Sequence, residues 1–152
     1  SENWLYTGRA FNLNSAPLAS DWVQVTREDY FGNVYWRVWV RCANQDGSCG
    51  EPIRTPVWDF SARYQSEGSA YEEGGKPGTL PTGYWLDFTR LARSYGFERP
   101  AALSNWRSYF VASRYNQFIF SQGYSWNNAL LQLYPANTVS ELATDTPLPI
   151  QP

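Results

Sequence analysis

The stretch from Val34 to Cys42 limits what this chain can fold into more than any other. Val34, Trp36, Val38, Val40 and Cys42 fall on one side of an extended backbone, and Tyr35, Arg37, Trp39 and Arg41 on the other. A period of two marks a strand whose two faces meet different surroundings. The first set is apolar and predicts a core face. The second is amphipathic, and predicts a half-exposed face on which guanidinium groups pack against the Trp39 ring. Trp22 to Thr26 predicts the preceding strand, joined through a turn at Gly32-Asn33. Val57 to Tyr64 alternates again and predicts a third strand, which completes a small antiparallel meander in the N-terminal half.

The pattern changes further along. Gln65 to Gly83 is rich in glycine and carries Pro77 and Pro81, which predicts a long loop centred on Tyr71-Glu72-Glu73. Loops of this length inside a compact domain often carry function. Tyr84 to Tyr95 puts Tyr84, Phe88, Leu91 and Tyr95 on one helical stripe, with Thr82 as N-cap and Gly96 just past the end. Leu103, Trp106 and Phe110 recur at helical spacing, and residues 109–120 fit one helix, a broken helix or the end of a strand. Ser125 predicts the cap of a last helix, Trp126 to Tyr134, which Pro135 stops. The expected fold is α+β: an N-terminal β-meander packed against about three C-terminal helices, in one domain spanning residues 1–135. Residues 136–152 end in Thr146-Pro147-Leu148-Pro149-Ile150-Gln151-Pro152, which predicts an extended Pro-rich tail or linker.

Composition excludes several functions. The 12 Lys and Arg against 14 Asp and Glu give a net charge of −2. That is not the basic field on which nucleic-acid binding depends. No apolar run approaches the roughly 20 residues that span a bilayer as a helix. Histidine is absent, which removes the ordinary Ser-His-Asp and Cys-His nucleophiles and the commonest metal ligand. No metal and no cofactor are expected, and no Gly-rich phosphate-binding fingerprint is present.

One enzyme class stays open, glycoside hydrolysis by paired carboxylates. Its candidates are Asp59, Glu72, Glu73 and Asp87. Each has a plainer role: Asp87 at a helix N-terminus, Asp59 as a partner of Arg37 or Arg41, and Glu72 and Glu73 as solvated loop charges. Aromatic residues make up 18% of the chain. They suit a core of large rings, and equally a surface on which sugars stack. The candidate ligand-binding face is Tyr35, Arg37, Trp39 and Arg41, with Tyr71 as a weaker addition. The reading that demands least is a non-catalytic interaction or spacer module that docks a protein partner or a neighbouring domain. A carbohydrate or cell-wall-binding module is the alternative, and a glycoside hydrolase-type enzyme the third.

Cys42 and Cys49 bracket the turn pair Asp46-Gly47 and are the only cysteines. They are expected to form a disulfide that staples the turn, with free thiols as the alternative. Such a bond persists in oxidising compartments, so the expected location is extracytoplasmic: secreted, periplasmic or at the cell surface. A loop this short restrains the unfolded chain by about 2 kcal/mol. Oxidised protein should therefore release no thiol in denaturant. Reduction should lower the unfolding free energy in urea by about that amount, and an unchanged midpoint would show that the staple contributes nothing.

Overall fold

The computed structural model describes residues 2–65, 68–142 and 149–151. Its centre is an antiparallel hairpin, β2 (Val23–Tyr30) and β3 (Asn33–Arg41), in a register that sets Val25 opposite Val38 and Arg27 opposite Trp36. The turn lies one residue earlier than the sequence suggests. Phe31 and Gly32 form the two-residue loop, both at positive φ (51° and 79°), and Asn33 already pairs with Tyr30. Positive φ at both positions is the type I′ geometry that matches strand twist.

The third strand of this sheet is β6 (Trp85–Asp87), which pairs with the end of β3 so that Trp39 faces Asp87. Here the structure departs from the expected helix over Tyr84 to Tyr95. The Cys42–Cys49 disulfide is formed, with a Cα–Cα distance of 5.9 Å. The loop it closes runs alongside residues 84 and 85. Cys42 N donates to Tyr84 O at 3.1 Å, and Glu51 and Trp85 exchange backbone hydrogen bonds at 3.0 and 2.8 Å. The Gln45 amide bridges Cys42 O and Tyr84 O, and Tyr84 N donates to Gln45 Oε1. These bonds hold residues 84–87 extended. A Cβ on Gly50 would lie 2.2 Å from Trp85 O, so the approach requires glycine there. The helix therefore begins later, as α3 (Phe88–Ser94), capped by Asp87 rather than Thr82, with Gly96 at φ 88° just beyond its end.

Val57 to Tyr64 is not the third strand either. Only β4 (Trp58–Asp59) is extended, and it pairs with β5 (Lys76–Pro77). The Asp59 carboxylate accepts from Ser61 N at 2.9 Å and caps a 3-10 turn, Phe60–Tyr64, which ends the alternation. Within the expected long loop lies a short helix, α2 (Ala70–Glu73). After Pro100 the chain forms turns, a further 3-10 turn (Phe110–Ser113) and β8 (Gln117–Ile119) instead of a helix. β8 pairs with β1 (Ala10–Asn12), and a short helix α1 (Ala16–Ala19) leads into the hairpin.

Ser125 caps α4 (Trp126–Leu130) as expected. Residues 136–142, read as the start of an extended tail, form helix α5 (Ala136–Leu142), whose Val139 is buried beside Trp4, Trp126 and Leu130. β9 (Ile150–Gln151) pairs with β7 (Arg99–Pro100). Thr146, Pro147, Leu148 and Pro152 of the Pro-rich segment lie outside the described residues. The fold is mixed α+β with antiparallel strands, and its helices and strands are interleaved rather than divided between the two halves.

The main core forms around Trp36. Its ring meets Phe60 at 4.8 Å, Trp106 at 5.1 Å and Trp58 at 5.9 Å between centroids. Arg27 lies over the Trp58 and Trp106 rings at 5.2 and 5.5 Å. Tilted and edge-on packing of this kind contributes beyond the area it buries.

The hairpin turn supplies a test. Phe31 is fully exposed and held at positive φ, a conformation costly for a bulky side chain and favoured by asparagine. Phe31→Asn should raise the unfolding free energy by about 1 kcal/mol. A destabilised variant would show that Phe31 makes a contact absent from this structure.

Candidate functional site

The face expected to form a ring platform is closed. Tyr35 and Trp39 retain 5% and 8% of their exposure. Trp39 packs with Ile53, Val57 and Trp85, and its indole N–H donates to Thr26 Oγ1 at 3.1 Å. Tyr35 lies beneath the Arg99 guanidinium, 5.6 Å from the ring centroid. Arg37 is half-buried and bonded to Glu28 at 2.6 Å and to Asp87 at 2.9 Å. Arg41 alone of the four is exposed, and it lies over the Trp22 ring. Tyr71 stands exposed on α2.

No two of the four candidate carboxylates line the same described cavity. Asp87 is buried, with one oxygen accepting from Arg90 N and the other from Arg37 Nη1. Glu72 and Glu73 lie on α2, and Glu73 approaches Arg107 at 3.8 Å. Asp59 borders an open cleft, and one of its oxygens is engaged by both the N–H and the hydroxyl of Ser61. Among the described residues no group of three or more His, Cys, Asp or Glu side chains could hold a metal ion.

That cleft has a volume of about 1310 Å³. One wall comes from α1 and the start of β2 (Leu18, Asp21, Gln24) together with Arg41. The other comes from the 3-10 turn after β4 and the chain from Lys76 to Thr82. Asp59 positions the turn, and the turn carries Arg63 inward and Tyr64 outward. Arg63 is 7% exposed and Tyr64 77%. The Arg63 guanidinium lies 5.0 Å from the centroid of Tyr64 and 5.1 Å from that of Phe110, and its Nη2 donates to the Tyr64 hydroxyl at 3.2 Å. Its Nη1 is buried without a hydrogen-bond partner, and among the described residues no carboxylate pairs with it. The Tyr115 hydroxyl, on the same cleft, is also buried and unpartnered, and burial pushes its pKa up. A cation out of water without a counter-ion is costly unless something supplies the acceptor.

Period-two reading assigned Arg63 to a strand and so missed it. The local signal was Asp59-Phe60-Ser61, an acid two residues ahead of a serine after a strand, which predicts a capped turn.

No protein-family model, curated protein or solved structure matches the chain.

The sheet's charged network supplies a pH prediction. Burial alone would push the Glu28 carboxyl up, but hydrogen bonds and charge from Arg37 and Arg99 outweigh it and hold the group below the usual glutamate range. A lowered folded-state pKa contributes stability that is complete above the unfolded value, about 4.3, and is lost as pH falls through the folded one. Urea stability should therefore fall with acidification below that value, and Glu28→Gln should flatten the fall. Equal slopes in the two proteins would show that another carboxylate governs it.

Proposed function

We propose that this chain is a non-catalytic interaction module of an extracytoplasmic protein, and that its partner occupies the cleft between the hairpin and the Phe60–Tyr64 turn. The observation that carries the reading is Arg63: a buried guanidinium with an unused donor, seated between two rings on the wall of an open cleft. A chain segment bearing a carboxylate would supply the missing acceptor, and the rings of Trp58 and Tyr64 would flank it. Arginine beside aromatic residues is the usual composition of an interface anchor. The Cys42–Cys49 disulfide supports an oxidising compartment. No helix among the described residues is long and apolar enough to cross a membrane.

A second reading, a carbohydrate-binding module, draws on the same cleft. Exposed Tyr64 and half-buried Trp58 offer ring faces, and Asp21, Gln24 and Asp59 offer hydrogen-bonding groups at the rim. Ionic strength separates the two. Capture of an acidic segment by Arg63 weakens as salt screens the charge, whereas stacking on a neutral sugar does not.

The test is tryptophan fluorescence of the intact chain titrated with acidic and neutral peptides and with soluble oligosaccharides, at low and high salt. Salt-sensitive binding of acidic peptides, weakened about tenfold by Tyr64→Ala, is the expected result. Salt-insensitive binding of a sugar, lost in the same variant, would replace the first reading by the second. Binding that Tyr64→Ala leaves unchanged would remove the cleft from both.

A further inference from the structure

A second cavity, of about 470 Å³, shares no lining residue with the cleft. It lies where β3, α3 and β7 meet, and four arginines line it: Arg37, Arg90, Arg93 and Arg99. Two carboxylates are hydrogen-bonded within this group. Glu28 accepts from Arg37 and Arg99, and Asp87 from Arg37. Glu51 reaches Arg90 only at 3.8 Å, with both side chains largely exposed. Arg93 has no ion pair among the described residues. Four guanidinium groups are thus set against three carboxylates, Glu28, Asp87 and the more distant Glu51, and Arg93 is left without an ion pair among the described residues.

The independent observation is Arg99. It is 7% exposed, its Nη2 is shared between Glu28 and Gln151, and its Nη1 is buried with no hydrogen-bond partner. Among the described residues that donor, in the cavity that Arg93 also lines, meets no acceptor. Thr89 and Tyr30 add hydroxyls to the lining, although the Thr89 hydroxyl already accepts from Val38 N at 2.9 Å.

We propose that this cavity binds a dianionic tetrahedral oxyanion: phosphate, either free or as the terminal group of a monoester. Arg93 and the unused Arg99 nitrogen offer donors at two separate positions, which an oxyanion with several acceptor oxygens can answer together. Arginine forks suit phosphate oxygens. The volume exceeds what one phosphate fills, and the Phe97 ring lies on the same wall, so a monoester with an apolar or ring-bearing alcohol fits the space.

The experiment is isothermal titration of the intact chain at low ionic strength with inorganic phosphate, phenyl phosphate and acetate. Expected is one-to-one binding of the phosphates in the millimolar range or tighter, with acetate much weaker. Phenyl phosphate tighter than inorganic phosphate identifies a monoester site, and equal affinity a free-phosphate site. Arg93→Gln removes one exposed guanidinium that no described contact needs, and should weaken phosphate about tenfold. Arg54→Gln, an exposed arginine outside the cavity, should leave affinity unchanged. Arg99→Gln should abolish binding where circular dichroism shows it folded; where it does not fold, Arg93→Gln carries the test. No binding of either phosphate would overturn the proposal. So would acetate binding as well as phosphate, or equal losses in the Arg93 and Arg54 variants.

Discussion

Burial of β3 on both faces is the constraint from which the rest of the structure follows. On one side Trp36 sits among Phe60, Trp58 and Trp106. On the other Tyr35 and Trp39 are covered, and Arg37 sits between Glu28 and Asp87. A strand with two covered faces needs a layer on each. The chain after residue 50 supplies both, returning to one side with the turn at Phe60 and to the other with residues 51–57 and β6. Because Arg37 is half-buried, much of its charge has to be met by the protein. That requirement fixes Glu28 across the hairpin and Asp87 at the head of α3. Breaking such a set by removing one partner costs far more than the pair contributes.

The disulfide loop acts as a local template for the second layer. Its residues hydrogen-bond to Tyr84, and Glu51 just beyond it to Trp85, before α3 begins, so the strand ends where Asp87 can serve two purposes. One carboxylate oxygen caps the helix and the other meets Arg37. Neither function is available if residues 84–87 are helical, because an N-cap carboxylate needs extended backbone at its own position. The turn cap at Asp59 works by the same device, and its consequence is the inward course of Arg63.

The hairpin, the disulfide, the Ser125 cap and the glycine after α3 were legible in the sequence because each is set by residues adjacent in the chain. The rest was not, for reasons that can be named. Tyr84, Phe88, Leu91 and Tyr95 do recur at helical spacing, but the hydrogen bonds that keep residues 84–87 extended come from Gln45 and Glu51, far away in sequence. The amphipathic face of β3 read as half-exposed because nothing local reveals that Glu28, Asp87 and Arg99 converge on it. Val57 to Tyr64 alternates well, yet a single aspartate accepting from Ser61 N redirects it. Of the candidate site, Asp59 and Arg41 were singled out and do border the cleft. Arg63 was not, since what marks it is a buried guanidinium without an ion pair among the described residues, which a sequence does not display.

The distribution of cations bears on what the fold leaves unexplained. The chain is slightly acidic, so acceptors for arginine are plentiful. Arg27 takes Asp29, and Arg37 takes Glu28 and Asp87. Arg63 and Arg99 differ from these, for each is buried against an aromatic ring and keeps one guanidinium nitrogen without a partner among the described residues, although Arg99 also pairs with Glu28. Ring stacking offsets part of the cost of taking a guanidinium out of water, but it satisfies none of the in-plane donors. Pairing with Glu28 accounts for part of the Arg99 guanidinium, whereas no described carboxylate pairs with Arg63. In both places one in-plane nitrogen is left over. A sequence locally inconsistent with its own fold is most often so where it meets something else. Both arginines line concave surfaces, and it is there that a partner would complete the hydrogen bonding that the chain leaves open.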